Sequence, residues 1–186
     1  MSAPKLFVVA SPSGGGKTSI LKVILQRHPE FKFSVSATTR AMRVGETNGK
    51  EYFFIQRHDF ARMIVQGELV EHELIYSDYY GTLKREVDSA LNSGQCMVFD
   101  IDVKGATAIK NTYPNDTILI FIQPPSIEVL EQRLRSRKTE SEEKLKKRLE
   151  RVKMELESVW EFDHVVVNDV LETAIEDVEK IIKKYL

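Results

Sequence analysis

A glycine-rich octapeptide, Ser11-Pro12-Ser13-Gly14-Gly15-Gly16-Lys17-Thr18, separates two segments of different hydrophobic period and constrains the fold more than any other stretch. Before it, Leu6 to Ala10 is a short apolar run with one phenylalanine and two valines, the pattern of a buried strand. After it, Ile20, Leu21, Ile24 and Leu25 repeat at helical spacing. The order is therefore strand, loop, helix. In that setting the backbone N–H groups of the loop turn inward around an anion, glycines tolerate positive φ and close approach, and the helix N-terminus adds partial positive charge. The pattern predicts a loop that cradles the phosphates of a nucleoside triphosphate, with Lys17 reaching the β and γ phosphates and Thr18 ligating Mg²⁺. Such loops normally open on glycine; Ser11 holds that position here and can make the turn if its φ stays negative.

Further apolar runs at Met97 to Phe99, Ile118 to Ile122 and Val165 to Val167 alternate with helical patterns. Alternation of this kind implies an α/β fold in three layers, with a central parallel sheet of about five strands covered on both faces. The rhythm breaks in the middle, where Tyr52 to Ile55 and Leu69 to Ile75 read as strands around a short helix near Phe60 to Val65, a small mixed α/β insertion. A helix from Leu83 to Asn92 closes on Gly94, and Ser126 stands where an N-cap belongs, after Pro124 and Pro125. The stretch from Glu128 to Glu157 is charged and helical. Within it, Thr139 and Glu142 have the spacing of a capping box, which predicts a break near Lys138. The last helix, Leu171 to Tyr185, carries Ala174, Ile175, Val178, Ile181 and Ile182 on one face.

A chain of 186 residues fits one domain, and 42% hydrophobic with 30% charged residues is ordinary globular composition. The formal net charge of −1 offers no general field for nucleic acid, so anion binding must come from locally placed cations. Cys96 is the single cysteine, which excludes an intramolecular disulfide and suggests a buried thiol. The apolar stretch near the N-terminus spans only about six residues, short for a signal peptide, and no window approaches the roughly 20 needed for a membrane span. The expectation is a cytoplasmic protein, monomer or homo-oligomer, with no nucleic-acid or membrane partner.

Phe33-Ser34-Val35-Ser36-Ala37-Thr38-Thr39-Arg40, followed by Arg43, Gly45, Glu46, Asn48, Gly49 and Tyr52, resembles the signature of the guanylate kinase family. Further matches follow in order: Glu71, Tyr79-Tyr80-Gly81-Thr82, Asp100-Ile101-Asp102, Pro124-Pro125-Ser126, an arginine-rich stretch and Val167-Asn168-Asp169. Together they cover essentially the whole chain. The resemblance implies one domain over 1–186, with a core of 1–35, 84–125 and 160–186, a GMP-binding insertion at 36–83 and a helical lid at 126–159. It implies transfer of the γ-phosphate of ATP to GMP, giving ADP and GDP, with Mg²⁺ as cofactor. Where the family commonly has glutamine, glycine and aspartate, this chain has Lys104, Lys138 and Val170.

The residue chemistry agrees with those roles. Arg40 and Arg43 offer guanidinium forks for the acceptor phosphate, and Tyr52 and Tyr80 add phenolic donors. Guanine presents N1–H and its N2 amino group side by side, a donor pair that the Glu71 carboxylate matches; Ser36 and Thr82 would address O6 and N7. By the resemblance, Asp100 lies between the substrates and positions Mg²⁺ through water, Asp102 supports the loop region or caps the next helix, and Asn168 lies near the adenine of ATP. Arg133 and Arg137 project from one helical face, with Arg148 further on, and would neutralise charge on the transferring phosphoryl group. Standing alone, the arginines would read as solvated loop charges, the tyrosines as core aromatics and Glu71 as an ordinary strand residue. Two other classes remain: a non-catalytic protein-binding module of the same fold, and a GTPase, for which the chain lacks an Asn-Lys-x-Asp run. AMP or dTMP would be the alternative acceptors within the kinase class.

Overall fold

The computed structural model describes residues 3–75, 77–136 and 142–186. Five strands, β1 (Leu6–Ala10), β2 (Lys32–Phe33), β7 (Met97–Asp100), β8 (Thr117–Gln123) and β9 (His164–Val167), form one sheet in the order β2-β7-β1-β8-β9. Every pairing in it is parallel. The central strand β1 is wholly inaccessible to solvent, which is why its sequence is a continuous apolar run rather than an alternation. Phe7 and Val9 face a core shared with α1 (Lys17–Arg27) and α7 (Leu171–Tyr185), through Ile20, Ile24, Ala174 and Val178. Leu6, Val8 and Ala10 face the other layer, against α3 (Lys84–Asn92) and α4 (Val103–Thr112), through Val87, Ala90, Ala106 and Ile109. Three layers result, as the alternating pattern predicted.

The second sheet, in the order β4-β3-β6-β5, comprises β3 (Ala37–Thr38), β4 (Phe53–Phe54), β5 (Leu69–Ile75) and β6 (Asp78–Leu83). It is mixed, with β3 parallel to β4 and β6 antiparallel to both β3 and β5. Helix α2 (Arg57–Val65) covers it through Phe60 and Met63, which pack with Ala37 and Leu83 into a small core of their own. Strands β2 and β3 are two residues each, too short to show a period, and β6 was visible in the sequence only as a motif.

Beyond β8, Ser126 accepts a hydrogen bond from the Val129 backbone N–H (3.2 Å), capping α5 (Ile127–Ser136) as its position suggested. Helix α6 (Glu142–Glu157) follows, and the expected break at Lys138 and Thr139 lies outside the described residues. Leu130 and Leu134 of α5 pack with Leu145 and Val152 of α6. Arg135 pairs with Glu131 on its own helix (2.9 Å) and with Glu142 on the next. Among the described residues, no helix is long and apolar enough to cross a membrane.

Candidate active site

Loops leaving the carboxyl ends of β1, β7, β8 and β9 meet at one edge of the parallel sheet, where open α/β sheets hold their ligands. The octapeptide leaves β1 and ends as the first turn of α1, whose N-cap is Gly16 with φ 93°. Gly14 also has positive φ (91°), the conformation that side chains resist. Gly15 donates its N–H to the Pro12 carbonyl (2.9 Å), closing a tight turn. A Cβ on Gly15 would stand 3.0 Å from that of Ser11. Ser11 thus fills space beside a neighbour that must remain glycine.

Lys17 is held from β7. Its Nζ lies 2.7 Å from Asp100 Oδ1 and donates to the Ile101 carbonyl at 2.7 Å. Two anchors aim the ammonium across the mouth of the loop. Thr18 occupies the first turn of α1 and is exposed, open to a ligand at the loop. Asp102 is a helix cap: its Oδ1 accepts from the Gly105 N–H (2.9 Å), satisfying a first-turn donor of α4. Its Oδ2 takes Arg151 Nη2 at 2.9 Å. Of the two roles open to Asp102 in the sequence, the structure gives it the cap.

The second sheet carries the other half. In the register of β5 and β6, Glu71 is opposite Thr82 and Glu73 opposite Tyr80; in that of β3 and β6, Ala37 is opposite Gly81 and Thr38 opposite Tyr80. Extending the β3 register back by one residue sets Ser36 beside Thr82. Ser36, Thr82 and Glu71 therefore form one row across three strands, sharing a face. Thr82 Oγ1 donates to Glu71 Oε1 at 2.7 Å. Burial raises the Glu71 carboxyl above its ordinary range, as do the charges of Asp102 and Glu73, while the Thr82 hydroxyl pulls it back.

Arg40 lies next to that row. Glu46 receives it bidentately, at 2.7 Å and 3.1 Å, and its guanidinium stands 5.3 Å from the ring centre of Tyr52. Tyr52 meets Tyr80 edge to face, with centroids 5.8 Å apart. Burial raises the Tyr52 phenol, with Tyr80 adding to the rise and the Arg40 charge opposing it. Arg43 is exposed on the connecting loop; its backbone N–H donates to Glu46 Oε2 at 2.7 Å.

The lid expectations divide. Arg133 is turned inward, its Nη2 donating to the Asn168 carbonyl at 3.1 Å. Arg148 is half-buried on α6, and Arg137 lies outside the described residues. Asn168, expected near the adenine of ATP, is buried, and its Nδ2 donates to the Gly15 carbonyl at 2.7 Å, which ties the end of β9 to the loop.

Two participants were given no role by sequence reasoning. Glu46, matched there only as part of the family signature, orients Arg40. Arg151 pairs with Asp102 and Glu155 at 2.9 Å and approaches Glu73 at 4.0 Å, joining α6 to both sheets. It lies three residues beyond Arg148, a helical spacing that could have flagged it. A cavity of about 200 Å³ is lined by Glu73, Asp102, Lys104, Arg151 and Glu155, and one of about 570 Å³ continues past Glu71 and Tyr79.

A phosphate loop on a parallel sheet, facing a second sheet that carries guanidinium, phenol and carboxylate groups, defines a phosphate-loop protein built to bring two phosphate-bearing ligands together. The family model described as guanylate kinase matches residues 3–185. The guanylate kinase of Chlorobium luteolum is 45% identical over 182 residues, covering 98% of this chain and 92% of its own. That of Thermotoga maritima is 45% identical over 179 residues, covering 96% and 86%. The crystal structure of guanylate kinase from Anaplasma phagocytophilum superposes with a TM-score of 0.75 at 29% identity, covering 99% of this chain and 87% of that one. The chain belongs to the guanylate kinase family.

Proposed function

We infer that the chain transfers the γ-phosphate of ATP to GMP, giving ADP and GDP. The observation that carries this reading is the row Ser36, Thr82 and Glu71 across the second sheet, adjoining an intact phosphate loop whose lysine is already aimed. Guanine would set N1–H and N2 against the Glu71 carboxylate and its O6 and N7 against the hydroxyls of Ser36 and Thr82. Adenine would leave polar groups of that row unpaired, at about 1–3 kcal/mol each. Arg40, Arg43, Tyr52 and Tyr80 would grip the acceptor phosphate, Glu46 holding Arg40 in orientation until the phosphate competes for it.

On the donor side, residues 11 to 18 would surround the ATP phosphates with backbone N–H groups, and Lys17 would bridge the β and γ phosphates. Among the described residues no three acidic, histidine or cysteine side chains converge as a metal cage, so a divalent cation here would draw most of its ligands from phosphate and water. Thr18 and, through water, Asp100 fit such an ion, and Mg²⁺ would supply neutralisation of phosphate charge. Arg133, Arg137 and Arg148 belong to the segment 126–159, which would close over the donor and exclude water from the transferring group. The segment 36–83 would hold the acceptor, on a core formed by 1–35, 84–125 and 160–186. The proposed substrates imply a cytoplasmic enzyme.

An acceptor panel of GMP, dGMP, AMP and dTMP, run with wild type and Glu71→Ala, tests the reading. Selective loss of turnover with GMP in the variant is expected. Turnover of AMP or dTMP but not GMP by the wild type would overturn the acceptor assignment.

A further inference from the structure

Asn168 follows β9 directly and is only 4% exposed, and its hydrogen bonds run to neighbouring segments. Its backbone N–H donates to the Gln123 carbonyl at the end of β8 (2.7 Å), which fixes the main chain. Its Nδ2 donates to the Gly15 carbonyl at 2.7 Å. Its own carbonyl accepts from Arg133 on α5 at 3.1 Å. The approach to the loop is so close that a Cβ on Gly16 would stand 2.1 Å from Nδ2. Leu130 and Leu134 of α5 press on the same loop, each 3.1 Å from where a Gly14 Cβ would be.

The peptide between Gly15 and Gly16 is planar and trans, so its C=O and N–H point in opposite directions. A side chain that draws the Gly15 carbonyl to one side therefore sends the Gly16 N–H to the other. We propose that Asn168 is a positioning residue: by holding that carbonyl it aims the Gly16 N–H at the donor's phosphates, and through Arg133 it links this peptide to helix α5. The inference rests on the reading that residues 11 to 18 hold the phosphates of ATP. It assigns Asn168 to the phosphates through the loop, and not to the base.

The two assignments separate by ligand. Titration calorimetry of wild type, Asn168→Ala and Asn168→Asp with ATP, inorganic tripolyphosphate and GMP is the test, with the melting temperature of each variant recorded. Loss of the buried donor should weaken ATP and tripolyphosphate by the same factor, about tenfold for alanine and more for aspartate, whose carboxylate would oppose the Gly15 carbonyl. GMP affinity should stay within about twofold of wild type. A purely structural role would lower the melting temperature and leave both dissociation constants unchanged, which overturns the proposal. Weakened ATP with unchanged tripolyphosphate would mark a base contact and also overturn it. If wild type binds neither ATP nor tripolyphosphate, the reading of the loop itself fails, a result distinguishable from the others. A measurement on wild type alone needs no variant to fold: the Asn168 side-chain amide resonance should shift as much with tripolyphosphate as with ATP, and a shift with ATP only would contradict the positioning role.

Discussion

At the scale of single residues, Glu71 ties structure to selectivity most closely. Burial, then the charges of Asp102 and Glu73, raise its carboxyl above the ordinary 4.5, and hydrogen bonds from the Thr82 hydroxyl and backbone oppose them. As pH falls through that raised value the carboxylate gains a proton and loses an acceptor for the guanine donor pair. The KM for GMP should therefore rise on acidification with a midpoint above 4.5, while the KM for ATP stays flat. Thr82→Val should move that midpoint higher still; no movement would separate Thr82 from the Glu71 carboxylate. Glu71→Gln, which turns one acceptor into a donor, should lower kcat/KM for GMP by roughly 10- to 100-fold. Both residues were legible in the sequence only through an ordered set of matches, because a lone glutamate between His72 and Glu73 has no pattern of its own. Asn168 was legible as a residue of the donor side, but its contact with the loop was not. Its partner Gly15 is 153 positions away, and no local spacing reports such a contact.

At the scale of elements, the row of recognition residues depends on how closely β5 and β6 approach. A Cβ on Gly81 would meet the Glu71 carbonyl at 2.7 Å and the Phe60 ring at 3.2 Å, with backbone on one side and a packed core on the other. Gly81→Ala should thus destabilise the protein by about 1–3 kcal/mol and raise the KM for GMP, the first read by denaturant melting. A wild-type melting curve and KM would show that β5 can shift freely. On the far side of the molecule, His28 closes α1 and stacks on Phe31, with centroids 4.5 Å apart. Its ring nitrogens lie 3.0 Å from Glu30 and 2.9 Å from Glu179 of α7, and Arg27 and Lys183 also face Glu179. Burial works against the imidazolium, but the two carboxylates outweigh it, leaving His28 above its ordinary 6.5. A raised histidine contributes stability that is complete below the unfolded value of 6.5 and lost as pH rises through the folded value. The melting temperature should accordingly fall from about pH 6 towards about pH 8, and His28→Gln should flatten that slope. An unchanged slope in the variant would place its source elsewhere. The longer elements were readable: Leu69–Ile75 and Leu171–Tyr185 have the bounds their periodicity predicts. Strands β2 and β3 were not, since two residues carry no period and their pairing is set by distant strands.

At the scale of the whole molecule, the two sheets and the helices α5 and α6 converge on one cleft. Lys17 and Asp100 represent the core, Glu71 and Arg40 the second sheet, and Arg151 ties α6 to both through Asp102 and Glu73. Such an arrangement suits transfer between two bound nucleotides, where catalysis is mostly positioning and charge neutralisation. The three-layer core was legible because β1, β7 and β8 are built on buried apolar runs and β9 on three consecutive valines. The bridging role of Arg151 was not, because it arises only when α6 folds across residues far away in the chain. The central claim is that phosphate leaves ATP for GMP and not for water, and product analysis tests it most directly. With ATP and Mg²⁺, purified protein should form ADP only when GMP is present, each ADP matched by one GDP. ADP formed at the same rate without GMP, or without GDP appearing, would contradict it.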